Sequence, residues 1–153
     1  MLIAVDFDGT VVENKYPEIG EERPFAIETL KMLIRDHHRI VLWTCREGQL
    51  LDDAIGWCRE HGVEFYAVNH DYPEETTDNN PHFTRKLKAD IFIDDRNVGG
   101  LPDWGSIYSM ISQNKKWSHL IDEAYSGVKD YGEPQQRKMP WWQLLRSKLL
   151  RNI

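Results

Sequence analysis

Nothing in this 153-residue chain approaches the roughly 20 consecutive apolar residues that a membrane-spanning helix requires. Nor does a basic region with a cleavage-site pattern precede the first apolar run, which begins at Leu2, so no secretory signal is read and a cytoplasmic location is expected. Cysteine is scarce. Cys45 and Cys58 form no C-x-x-C pair of the kind that binds metal, and as reduced thiols both read as structural. Internal repeats are absent. Basic residues are outnumbered, 19 against 25 acidic for a net charge of −6, and the imbalance is uneven. Residues 137–153 hold Arg137, Lys138, Arg146, Lys148 and Arg151 with no acid, leaving 14 basic against 25 acidic residues, a net of −11, in the remainder. So acidic a body repels nucleic-acid phosphates, and no strong nucleic-acid signal is read.

What is present is the composition of a globular domain, 41% apolar and 29% charged, long enough to bury about two thirds of the surface its unfolded chain exposes. Short runs rich in β-branched or aromatic residues, LIAV (2–5), IVLWT (40–44), VEFYAV (63–68) and IFI (91–93), read as strands. Between the first two, Pro24 is placed to open a helix whose Phe25, Ile27, Leu30, Leu33 and Ile34 fall near helical spacing. Between the second and third, Leu50, Leu51, Ala54, Ile55 and Cys58 repeat the pattern, and Gly62 follows as a stop. Strand and helix in alternation predict an α/β fold, a Rossmann-like parallel sheet in three layers with helices on both faces. Residues 69–88 read as a long polar loop, helices are expected from about Ser106 to Tyr125, and a linker from 126 precedes the tail.

The first strand runs into "DFDGT". Asp6 and Asp8 sit two apart at a strand tip, where side chains alternate faces, so both project the same way and repel unless a cation or a shared proton compensates. Thr44, Asp94 and Asp95 also lie at the carboxyl ends of strands in this reading, the rim where open α/β sheets bind ligands.

"DFDGT", "LWTCR" and "RKLKADIFIDDR", in that order and each at a predicted strand, resemble the haloacid dehalogenase superfamily of phosphohydrolases over residues 1 to about 110. The resemblance implies a catalytic domain over residues 1–125 and a Mg2+-dependent phosphatase acting on a phosphorylated substrate. It implies that Asp6 is the nucleophile that forms an aspartyl-phosphate, with Asp8 as general acid and base. It further implies Thr44 as a hydroxyl donor to the phosphoryl group and Lys86, or failing it Lys88, as the neutralising cation. Asp95 is then the direct metal ligand and Asp94 its water-mediated support, beside Asp6 and Asp8, the last through its backbone carbonyl. Gly9, Thr10, Cys45 and Arg46 fall where such proteins contact phosphate or substrate, although a surface or helix-start role is equally open to Arg46, and Arg96 reads as structural.

The superfamily inserts cap domains after its first motif or between its second and third, intervals of about 35 and about 41 residues here. Basic helix and strand units fill both. The chain therefore reads as capless, with a short flap at about residues 11–23. A noncatalytic phospho-ligand module, a phosphotransferase and a nucleotidase remain alternatives on the same fold. His70 and His82 are further candidates to touch substrate, and Tyr72 and Trp104 either stack a base or sugar or serve as packing aromatics. In the tail, Trp141, Trp142, Leu144, Leu145, Leu149 and Leu150 alternate with the cations as in a basic amphipathic helix, suited to its own domain, a second subunit or a membrane surface.

Overall fold

The computed structural model describes residues 1–76 and 86–114. Its strands are β1 (Leu2–Val5), β2 (Arg39–Leu42), β3 (Ala67–Val68) and β4 (Ile91–Ile93), and they form one sheet in the order β3-β2-β1-β4. Every pairing is parallel, from Leu2↔Arg39 to Val5↔Leu42 on one side of β1 and from Ile3↔Ile91 to Val5↔Ile93 on the other. The expected α/β sheet is therefore present. With neighbours on both sides and cover on both faces, β1 tolerates no polar side chain, and Ile3, Ala4 and Val5 are fully buried.

The third strand is shorter than its apolar run. Val63 donates its amide to Cys58 and packs beneath the preceding helix, so residues 64–66 are used to climb back to the sheet before Ala67 and Val68 pair with Val41 and Leu42. Helix α1 (Ala26–Arg35) buries Ala26, Ile27, Thr29, Leu30 and Leu33. It does not include Phe25, which stands in the left-handed region at φ 67° with 72% of its surface exposed, contrary to its expected place on the buried stripe. A Glu22 carboxylate oxygen accepts from the Ile27 amide and supplies the cap that Phe25 lacks. Helix α2 (Gly48–Glu60) buries Ala54 and Cys58 and stops before Gly62, whose φ of 83° closes the turn as the spacing predicts. Helix α3 (Trp104–Ser112) begins two residues earlier than expected because Asp103 caps it, accepting from the Ser106 amide. The linker and tail lie outside the described residues.

Side chains alternate across the sheet. Ile3, Val5, Ile40, Leu42 and Ile93 join Leu30 and Leu33 of α1, Ala54 and Cys58 of α2, and Trp104 and Ile107 of α3 in one core. Ala4 and Val41 face the other way, against Ala67, Leu87, Tyr66, Ala89 and Phe92. Among the described residues, then, helices cover one face rather than the expected two. Two successive right-handed crossovers that move the same way along the sheet place α1 and α2 on the same side. The chain then reverses past β1 to β4, and the switch point opens between the carboxyl ends of those two strands.

Candidate functional site

Asp6 follows β1 directly, and its amide still bonds the Ile93 carbonyl at 3.0 Å, which carries the ladder one residue beyond the strand. Asp94 and Asp95 follow β4 directly. Parallel register thus delivers three acids to one point. One carboxylate oxygen from each of Asp6, Asp94 and Asp95 lies within 4.8 Å of the others. Burial pushes the Asp6 carboxyl up to about 6; the charges of Asp94 and Asp95 add to this, against hydrogen bonds from the Phe7 backbone and the Thr10 hydroxyl.

Oδ1 of Asp95 is buried without a hydrogen-bond partner among the described residues, whereas Asp94 Oδ1 accepts from the Arg96 amide at 2.8 Å. An orphaned carboxylate oxygen beside two further carboxylates is a costly arrangement for protein alone. It fits a hard divalent cation such as Mg2+, held by Asp6, Asp94 and Asp95.

Thr10 and Gly9 hold this arrangement rather than meet a substrate. The Thr10 side chain is fully buried; its hydroxyl donates to Asp6 Oδ2 at 3.2 Å and accepts from the Asp95 amide at 3.0 Å, tying the tips of β1 and β4 together. Gly9 stands at φ 89°, and a Cβ there would run into the Asp95 carboxylate. Its amide bonds the Val12 carbonyl at 2.8 Å, so that donor is turned inward. Trp104 is buried, and its indole N–H donates to the Thr10 carbonyl at 3.2 Å; it packs and does not stack a ligand.

The Asp8 carboxylate is absent from the three-acid group. Arg46 holds it instead, through Nε to Oδ2 and Nη2 to Oδ1, both at 2.7 Å. Arg46 is 1% exposed, so it is not the surface residue that its sequence position also allows, and its fork is turned to Asp8. The hydrogen bond to Asp8 is the main cause that raises the Arg46 pKa further above its ordinary value.

Thr44 lies two residues beyond β2, its amide donating to Asn69 Oδ1 at 2.9 Å while Asn69 Nδ2 donates to the Thr44 carbonyl at 3.1 Å. Asn69 escaped the sequence reading, although an Asn just past a strand, able to adopt the φ of 55° seen here, is a usable signal. A cleft of about 540 Å3 opens above these groups. Asp6, Asp8, Asp94 and Thr44 line it, with Cys45, Arg46, Trp43, Arg96 and the flap residues Asn14 and Tyr16 around them. Cys45 is exposed there and so is no structural thiol, unlike buried Cys58, whose pKa burial alone pushes up to about 12. Lys86 and Lys88 are both exposed, and neither is among the described residues lining the cleft. Lys88 instead engages Asp71, by its amide at 2.6 Å and its ammonium at 4.0 Å. His70 and Tyr72 are half-buried away from the lining, and His82 lies outside the described residues.

No family model and no curated protein matches the chain. Among solved structures it is similar to a conserved protein from Bacteroides thetaiotaomicron, with 62% sequence identity and a TM-score of 0.73, covering 78% of this chain and 96% of that one.

Proposed function

From the site of this chain, which belongs to the same family as that conserved Bacteroides thetaiotaomicron protein, we propose a Mg2+-dependent phosphomonoesterase of the haloacid dehalogenase type. The observation that carries the reading is the meeting of Asp6, Asp94 and Asp95 at the switch point, with Asp8 lining the same cleft but held out of the acid group. Asp6 attacks phosphorus, and its oxygen–phosphorus bond forms as the bond to the ester oxygen breaks; Asp8 gives that oxygen a proton. Asp8 then takes a proton from water as the water oxygen bonds phosphorus and Asp6 is released. Asp6, Asp94 and Asp95 would hold the Mg2+, whose charge would offset the negative charge shared by nucleophile and phosphate.

Thr44 supplies a hydroxyl on the cleft wall. Arg96 lines the cleft as well, and its guanidinium, unlike that of Arg46, forms no ion pair with a carboxylate among the described residues, which makes it the cation best placed for the phosphoryl oxygens in the role first assigned to Lys86. Turnover of p-nitrophenyl phosphate with Mg2+, lost on chelation and in Asp6→Asn, is the expected result. Binding of phosphate esters without any turnover would instead indicate a noncatalytic ligand module.

A further inference from the structure

Resting on that reading, we infer that Arg46 is a positioning residue for the general acid, and that it locks the flap and Asp8 into one unit. All but one of its N–H donors are spent within the protein: two on the Asp8 carboxylate, one on the Pro17 carbonyl and one on the Glu18 carbonyl, the last two at 2.9 Å. The guanidinium also lies 5.2 Å from the Phe7 ring centre and 5.4 Å from that of Tyr16, both within cation–π range. A buried guanidinium so engaged has nothing left with which to grip a phosphate in two-pronged fashion. Every hydrogen bond it makes is instead directed at one catalytic carboxylate and one loop.

The fork engages each Asp8 oxygen once. Every carboxylate oxygen has a second lone-pair direction, and the Asp8 side chain remains 13% exposed where it borders the cleft. Arg46 therefore fixes the plane of the carboxyl while leaving a site on it for the proton that passes to the leaving oxygen and later returns from water. The flap is closed on itself by Glu13 amide to Glu21 carbonyl and Arg23 amide to Val11 carbonyl bonds and is anchored at its base by Val11 and Val12 to Phe7 and Gly9, while its tip at Pro17 and Glu18 reaches the Asp8 carboxylate through this guanidinium. Flap position and acid orientation are thus set by the same side chain.

The test compares kcat/KM of the full chain for p-nitrophenyl phosphate and phenyl phosphate, the second ester having the poorer leaving group and needing the proton more. Arg46→Met is expected to lose at least tenfold more on phenyl phosphate than on p-nitrophenyl phosphate, with KM changed less than about threefold, as Asp8→Asn does. Arg46→Lys keeps the charge but not the planar fork, so it recovers less than about tenfold of the loss, and it serves as the comparison if the Met variant does not fold. Hydrogen exchange is expected to quicken across residues 13–22 while the β1 amides stay protected. Equal losses on the two esters, or a raised KM at unchanged kcat, overturn the inference in an enzyme that is otherwise a phosphatase. A wild type that turns over neither ester overturns the phosphatase reading, and the inference with it.

Discussion

Asp6 concentrates the conflict that the site is built around. Because burial raises its pKa to about 6 from 3.8, the metal-free folded protein holds a proton there that the unfolded chain has already lost between those values. The stability that Asp6 contributes is thus present below about pH 3.8 and lost as pH rises through about 6, a difference on the order of 2 kcal/mol after allowance for solvent screening. Asp6→Asn should abolish turnover yet raise the Tm of the metal-free protein at pH 7.5 relative to wild type, with the two proteins converging near pH 4. A metal-free wild type at least as stable as the variant at pH 7.5 would count against this account of the triad. Gly9 is the other residue that tolerates no change. Gly9→Ala puts a side chain at φ 89° and against Asp95, so the urea midpoint should fall by the equivalent of about 2 kcal/mol at unchanged m, and Mg2+ should no longer stabilise the protein. The sequence exposed the acids, since their positions after apolar runs are local facts. It concealed the part played by Arg46, because its partner lies 38 residues away and nothing in W-T-C-R says which way a side chain turns.

The elements explain how separate segments reach a common rim. Each strand ends in the residue that matters next, Asp6 after β1 and Asp94 after β4, so parallel pairing alone sets their spacing. Thr44 is different. It lies beyond the ladder and depends on the Asn69 side chain, which holds its amide and its carbonyl at once. Asn69→Ala removes both bonds, and we expect kcat to fall about tenfold or more, with stability lowered by roughly 1–2 kcal/mol; kinetics and chemical unfolding on one preparation separate these effects. Retention of full kcat would remove Thr44 from the phosphoryl contacts. The starts of α1 and α3 were misjudged in the sequence because caps decided them. Glu22 and Asp103 accept the first free amides, and a cap is a contact between residues rather than a periodicity.

For the whole molecule, ligand linkage gives the broadest check. A cation that binds the folded chain alone stabilises it by about 2.7 kcal/mol at a hundredfold excess over its Kd. Mg2+ should therefore raise Tm by several degrees at pH 7.5 and by little at pH 5, where Asp6 keeps its proton; an equal shift at both values would place the bound ion elsewhere. Arg96→Ala should raise KM by roughly tenfold with kcat little changed, and the same loss in Lys86→Ala instead would return the cation's role to the lysine. By itself the sequence determined the α/β class, the succession of short apolar runs along the chain and the presence of acids at their ends, because hydrophobic periodicity and strand polarity are properties of consecutive residues. Only the tertiary structure decided that Asp6, Asp94 and Asp95 form one group while Asp8 is drawn to a buried arginine, that Thr10 and Gly9 face inward, and that the described helices share one face of the sheet. Those outcomes depend on which unpaired donor, acceptor or charge meets which partner once the crossovers have closed, and that pairing exists only between segments distant in the chain.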